Sequence, residues 1–349
     1  MDQYIPTRFP SHPRFVPALE QLERELLERT RHEATYILPS QEIARNAQLA
    51  IKAQQEHSET AIGRGLTRGQ IKSGIYDLAR SAQQLRAYEA TTCIVLLEHV
   101  KAIRSAYDDR KISAFISSLR GLVERAGFLA GNSRRLQSSL AVGENEMLSI
   151  INSSEIIMRG LYSTRIDWRV IVDGIASGNF ENLTSDDIKY KKKENIADQS
   201  ASSVLSGIDK LDKLVRGTRI SYEVFCEFLH PNLGDLIGVT VDARSFYSGN
   251  DRVRLISRTL GIGPSDMENQ VDMSYVLDTT LGVVSDIFLQ VSKDLNDLAG
   301  MVARVRKVVE TAQHKVLGKQ RHLFQRGDLC PCLSGKAIRH CAPKAWRGK

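Results

Sequence analysis

The feature that most constrains this chain is an apolar repeat in its last quarter. Apolar residues follow one another at alternating spacings of three and four, which is the period of one face of an α-helix. They are Leu281, Val284, Phe288, Val291, Leu295, Leu298, Val302, Val305 and Val309. This stripe predicts a long helix that packs at a shallow angle. Two arrangements would bury it: a bundle formed by the same chain, or a homodimeric coiled coil through residues 281–309.

Helical periodicity also dominates the rest of the sequence. Apolar residues at helical spacing predict four earlier helices, over residues 70–107, 111–130, 144–161 and 197–215. Two further helices are predicted near the N-terminus, one by Leu19, Leu22 and Leu26 and one over residues 41–61, which follows the break at Pro39. The fold class expected from these patterns is all-α, a bundle of long helices.

One region of the sequence predicts β-strands. Residues 236–241 and 251–256 are short and rich in β-branched residues, and Ser248, Gly249 and Asn250 lie between them. Such a pattern predicts a small β-hairpin inserted between helices.

The charge of the chain is concentrated at its C-terminus. The net charge of the whole chain is +7, but residues 301–349 alone carry +10, which leaves −3 for the other 300 residues. A basic tail on a slightly acidic body favours an anionic partner such as a protein, a ribosome or a nucleic acid. The alternative is that the tail needs its charge for solubility alone.

Three of the five cysteines fall within twelve residues of this tail: Cys330, Cys332 and Cys341, the last of which follows His340. Clustered cysteines in a reducing compartment more often bind a metal than form disulfides. Zn²⁺ prefers four thiolate or imidazole ligands in a tetrahedron. The spacing therefore predicts a zinc site whose ligands are the three cysteines and His340. The alternatives are that the fourth ligand is absent, or that the segment binds no metal.

The segment CPCLSGKAIRHC, which begins at Cys330, resembles the SEC-C motif, a zinc knuckle with the pattern CPCGSGKKYKxC[CH] at the end of the translocation ATPase SecA. The resemblance covers residues 326–342, and the positions at which the chain departs from the motif include Leu333, Ile338 and Ala342. It implies an accessory element that docks a protein or a ribosome and has no catalytic activity of its own.

The body of the chain carries a second candidate site. Arg120 and Glu124 are four residues apart on one predicted helix, and Tyr222, Cys226 and His230 share a face of another. This pairing resembles all-α HEPN-like bacterial families, over roughly residues 70–310. Ribonucleases of that kind use an Arg and a His to cleave RNA, so Arg120, Glu124 and His230 form the catalytic candidate of an alternative reading. None of the eight histidines, however, has an Arg five to seven residues before it, as the nuclease motif requires.

These observations lead to one leading expectation for function. The chain is expected to be a non-enzymatic adaptor with an N-terminal extension and helical hairpin (1–65), an α-helical body (66–318) and a basic zinc-knuckle tail (319–349). The alternative is a divergent ribonuclease or toxin-type effector. Motifs of nucleotide-binding, zinc-protease or serine-hydrolase sites do not occur in the sequence. Because the sequence contains neither an apolar run long enough for a membrane span nor an apolar leader, a cytoplasmic location is expected.

Overall fold

The architecture is that of a computed structural model. It describes residues 3–4, 9–31, 68–141, 166–189, 203–229, 244–248, 251–255 and 273–319, with isolated positions between 149 and 161 and at 340. Within these residues the fold class is all-α, as the sequence predicted, and three short strands accompany the helices. The helices are α1 (Phe15–Arg29), α2 (Arg68–Asp108), α3 (Ile112–Ala141), α4 (Trp168–Ala176), α5 (Val204–Asp212), α6 (Thr218–Leu229) and α7 (Met273–Lys319).

The helices follow the apolar stripes, although their ends differ from the predicted ones. Helix α2 begins and ends within two residues of the predicted span, whereas α3 continues eleven residues beyond the predicted end at residue 130. Helix α5 begins at Val204 rather than near residue 197. The predicted helix over residues 41–61 and most of the one over residues 144–161 lie outside the described residues.

The chain divides into two compact units. The first comprises residues 1–33, 90–133 and 203–297, and the second comprises residues 34–89, 134–202 and 298–349. The core of the first unit contains aromatic rings from four helices. Phe15 of α1 lies 5.5 to 5.7 Å, between ring centroids, from Tyr107, Phe115 and Phe288 of α2, α3 and α7. Rings at such separations stabilise a core beyond the area that they bury.

The long apolar stripe lies on α7 and is buried. Eight of its nine residues are at most 6% exposed, and Val302 is half-buried. The protein's own chain therefore covers these eight positions, which supports the intramolecular bundle. A homodimer through residues 281–309 would have to displace that packing.

Polar contacts also hold α1 in the first unit. Arg104 of α2 pairs with Glu20 and Glu23 of α1, at 3.2 and 3.3 Å. Arg14, which precedes α1, pairs with Asp286 of α7 at 2.6 Å. Partly exposed ion pairs of this kind contribute about 1 kcal/mol or less each to the free energy of unfolding. Their main effect is therefore to orient α1, whereas burial of its apolar side chains in the core holds it in place.

Three short strands accompany the helices. Strand β2 (Arg244–Ser248) pairs in antiparallel fashion with β3 (Asp251–Leu255), and β1 (Gln3–Tyr4) pairs with the other edge of β2. The predicted second strand coincides with β3. The segment that pairs with β3 is 244–248, not the predicted 236–241, because only two residues separate Ser248 from its partner Asp251. Residues 236–241 lie outside the described residues.

The second unit contains α4 and the segment that follows it. Asp167 precedes α4 and its side chain accepts a hydrogen bond from the Arg169 backbone N–H at 3.2 Å, which caps the helix. A 3₁₀ turn (Phe180–Asn182) follows, and a bridge between Ile166 and Lys189 closes the segment.

No helix in the described part of the chain is both long enough and apolar enough to cross a bilayer.

Candidate functional site

The candidate site of the body joins α3 and α6 within the first unit. Arg120 and Glu124 lie one turn apart on α3, and Tyr222 faces them from α6. Arg120 Nε donates to Glu124 Oε1 at 3.2 Å, and the Tyr222 hydroxyl donates to the same oxygen at 2.9 Å. Arg120 Nη2 approaches the Tyr222 hydroxyl oxygen at 3.5 Å. We call these three residues the Arg120 cluster.

The Arg120 cluster is partly closed to solvent. Tyr222 is 5% exposed, and about a third of the Arg120 and Glu124 side chains is exposed. The guanidinium carbon of Arg120 lies 5.5 Å from the centroid of the Tyr222 ring, within the range of a cation–π contact. The arginine is therefore held by a carboxylate, a hydroxyl and an aromatic face at once.

Burial reinforces the neutral state of Tyr222. It raises the pKa of the phenol to about 12, with the hydrogen bond from Arg120 acting against the rise and the carboxylate of Glu124 adding to it. The hydroxyl therefore stays protonated at neutral pH and acts as the donor to Glu124. A phenol in this state is neither a general base nor an activated nucleophile.

Arg120 is a fixed cation. Partial burial acts to lower its pKa, but the hydrogen bond with Tyr222 and the neighbouring Cys226 and Glu124 side chains outweigh burial, and the pKa is raised overall. Its charge is opposed by Glu124 inside the cluster. The arrangement is thus chemically suited to joining two helices through satisfied polar groups.

The structure brings together some of the residues that the sequence singled out. Arg120, Glu124 and Tyr222 are in contact, and Cys226 is half-buried one turn after Tyr222 on α6. His230, the third catalytic candidate, lies outside the described residues, so its relation to Arg120 and Glu124 stays a prediction.

Sequence reasoning missed His99. This half-buried residue of α2 lies against Gly121 of α3, where an added Cβ would be 2.7 Å from His99 Cε1. Burial lowers the pKa of His99, Arg125 lowers it further, and Glu124 opposes both. The sequence contained only a weak indication of this packing. His99 lies beside the apolar stripe of α2, and the glycine that makes room for its ring lies on a different helix.

The predicted zinc ligands fall almost entirely outside the described residues. His340 is described and exposed, whereas Cys330, Cys332 and Cys341 are not described. In the part of the chain that the structure describes, no group of three or more His, Cys, Asp or Glu side chains could hold a metal ion. The zinc site therefore stays a prediction from ligand type and spacing.

Comparisons of the chain with protein-family models, with curated proteins and with solved structures find no match.

Proposed function

We propose that this chain is a non-enzymatic interaction protein whose C-terminal tail, residues 319–349, docks a protein or ribonucleoprotein partner. In this proposal Cys330, Cys332, Cys341 and His340 hold one Zn²⁺. Three thiolates and an imidazole are a donor set typical of structural zinc, which would supply folding energy to a tail too short for a core of its own. The resemblance to the SEC-C motif supports the same role.

The pairing inside the Arg120 cluster is the structural observation that best supports a non-enzymatic protein. Arg120 and Tyr222 both donate to Glu124, and the phenol is held in its neutral form. A nuclease would need the guanidinium to bind a phosphate and a group to take a proton. Here the guanidinium is already bound by a carboxylate, which supports a role in holding α3 and α6 together.

The tail's charge supports an anionic partner. Residues 301–349 carry a net charge of +10, and Lys336, Arg339, Lys344 and Arg347 are close in sequence to the proposed ligands. A compact knuckle would concentrate these charges on one small surface. Binding that rests on such contacts weakens as salt screens them, since the Debye length falls from about 8 Å at physiological ionic strength to about 3 Å at 1 M.

The domain bounds 1–65, 66–318 and 319–349 and a cytoplasmic location belong to the same proposal. Under it, the body would be a stable platform and the tail the element that meets the partner. The body would then keep its fold when the metal is removed, because packing of the helices and metal binding are separate sources of stability.

The test of the proposal is capture of purified ribosomes and of cellular protein by the immobilised full chain. Cys332→Ser should abolish capture, because it removes a proposed zinc ligand. Cys226→Ser is the matched control, since it removes a thiol from α6 and leaves the tail intact. If Cys332→Ser captures the same partners as the wild type, the tail is not the docking element.

The alternative, a ribonuclease built on His230, Arg120 and Glu124, makes a different prediction. His230→Ala would abolish RNA cleavage or toxicity and leave the thermal unfolding temperature unchanged. For the structural role that we propose, neither the wild type nor His230→Ala should cleave RNA.

A further inference from the structure

The two compact units of the chain differ in charge. The three segments of the second unit carry net charges of +2, −1 and +10, a total of +11, whereas the first unit carries −4. These totals count every residue of each unit, acids included. A polyanion that binds through charge would therefore meet the second unit.

Among the described segments of the second unit, the C-terminal half of α7 has the largest positive charge. Its basic residues are not scattered around the helix. Arg304, Lys307, Thr311 and Lys315 follow one another at positions i, i+3, i+7 and i+11, on one face of α7. The first three of them are exposed. We call these four residues the α7 basic face.

The surroundings of the α7 basic face hold it outwards and leave it positive. Val305 and Val309, on the other side of the helix, are 2% and 6% exposed, so α7 is packed on that side. Towards the N-terminus the face ends at the exposed acid Asp297. Glu310, the sole acid of α7 after Asp297, pairs with Arg306 at 2.8 Å, to one side of the face. The face therefore presents positive charge along about 16 Å of helix, at roughly 1.5 Å per residue.

The exposed side chains of this stretch distinguish between kinds of partner. Residues 300–311, all of which the structure describes, expose no aromatic or large apolar side chain. The exposed residues are Gly300, Ala303, Arg304, Arg306, Lys307, Glu310 and Thr311. Protein partners are held by aromatic and apolar anchors, and single-stranded RNA is held by aromatic side chains that stack on its bases. Phosphates, in contrast, are bound by Arg, Lys and Thr side chains.

We propose that the α7 basic face binds the phosphate backbone of double-stranded RNA. A duplex backbone presents a regular line of negative charge, which Lys and Arg neutralise whatever the base sequence. This inference names the class of partner for the docking function proposed above, and it rests on that function in its choice of RNA, because the partner there is a protein or a ribonucleoprotein. The contact is assigned to a helix of the body, so it does not depend on zinc.

The salt dependence of RNA binding tests the proposal. Fluorescence anisotropy measures the affinity of the full chain for a labelled RNA duplex of about 20 base pairs, between about 50 and 200 mM salt. The wild type should bind, with an affinity that falls steeply as salt rises. Arg304→Gln with Lys307→Gln should weaken binding about tenfold and reduce the slope of log affinity against log salt by about two, since each phosphate contact contributes about one.

Two control variants make this measurement specific. Lys213→Gln with Arg216→Gln removes the same charge from exposed positions of the first unit and should leave the slope unchanged. Arg304→Lys with Lys307→Arg retains both charges of the α7 basic face and should bind as the wild type does. Equal thermal unfolding temperatures of the variants and the wild type would show that the fold is intact.

Four results would overturn the proposal. The first is a wild type that does not bind the duplex at about 50 mM salt, where charge contacts are strongest. If the two charge-removing variants have equal slopes, binding follows net charge and the α7 basic face is not the site. If polyglutamate at equal charge displaces the duplex, the partner is an acidic protein, and if a DNA duplex binds more tightly, the partner is DNA.

The two proposals can fail independently. Cys332→Ser removes no basic residue, so it should bind the RNA duplex as the wild type does. Loss of zinc or of partner capture in that variant therefore judges the docking tail, whereas the slope of Arg304→Gln with Lys307→Gln judges the α7 basic face.

Discussion

The backbones of Gly127 on α3 and Gly207 on α5 meet with no side chain between them. A Cβ on Gly127 would lie 2.8 Å from the carbonyl carbon of Gly207, and a Cβ on Gly207 would lie 3.1 Å from the carbonyl carbon of Gly127. Such proximity requires that both residues be glycine. The contact holds α5 against α3. Helix α6 follows α5 in the chain, and its Tyr222 contacts Arg120 and Glu124 of α3.

Gly127→Ala should therefore destabilise the protein. In an exposed helix interior, replacing glycine by alanine stabilises by up to about 1 kcal/mol, but here the methyl group would meet backbone atoms, and overpacking of this kind costs about 1–3 kcal/mol. Gly300→Ala is the matched control, since its added Cβ would meet no atom within 4 Å beyond the local backbone of its own helix, and it should be neutral or stabilising. Urea unfolding measures both, and equal effects of the two substitutions would contradict the close crossing.

The Arg120 cluster should show energetic coupling between its helices. Glu124→Ala and Tyr222→Phe each remove one partner of a 2.9 Å hydrogen bond. Each should cost about 1–3 kcal/mol, because the remaining polar group stays partly buried, and the double variant should cost less than the sum.

The pair Arg306–Glu310 provides the control for this coupling. It joins two residues of one helix at i,i+4 spacing, with a 2.8 Å contact, and both side chains are largely exposed. A double-mutant cycle on it should give no more than about 0.5 kcal/mol. If the two cycles agree, the Arg120 cluster contributes no more than an ordinary surface pair.

The stability that Tyr222 contributes should disappear at alkaline pH. Its pKa is raised to about 12 in the folded protein, whereas an unfolded tyrosine ionises near pH 10. The contribution is therefore complete below about pH 10 and is lost as the pH rises towards about 12. The difference in unfolding free energy between wild type and Tyr222→Phe should shrink over this window in a series of urea titrations. A difference that stays constant up to pH 12 would show that the folded phenol is not protected from ionisation.

His99 should titrate below the ordinary histidine value of 6.5. Burial lowers its pKa, and Arg125 lowers it further against the opposing effect of Glu124. Stability gained by keeping this imidazole neutral is complete above about pH 6.5 and is lost as the pH falls. In an NMR titration, Arg125→Gln should raise the pKa of His99 and Glu124→Gln should lower it, while Arg134→Gln leaves it unchanged. An unshifted His99 in the wild type would show that burial and Arg125 do not disfavour the charged imidazole.

The sequence predicted the helices well because their apolar stripes are long. The stripe from Leu281 to Val309 gave α7, and the spacing of Arg120 and Glu124 placed them on one face of α3. The sequence did not predict features that depend on how the elements pack against one another. The position of His99 over Gly121 depends on how α2 and α3 are aligned, which no periodicity within one helix reports. The partner of β3 was misplaced because composition favoured residues 236–241, whereas a two-residue connection requires the adjacent 244–248.

Metal analysis of the full chain, purified under anaerobic conditions, tests whether the docking tail depends on zinc. We expect about one zinc ion per chain in the wild type and in Cys226→Ser, and a loss of that zinc in Cys332→Ser. A zinc content near zero in the wild type would show that Cys330, Cys332, His340 and Cys341 do not form a zinc site.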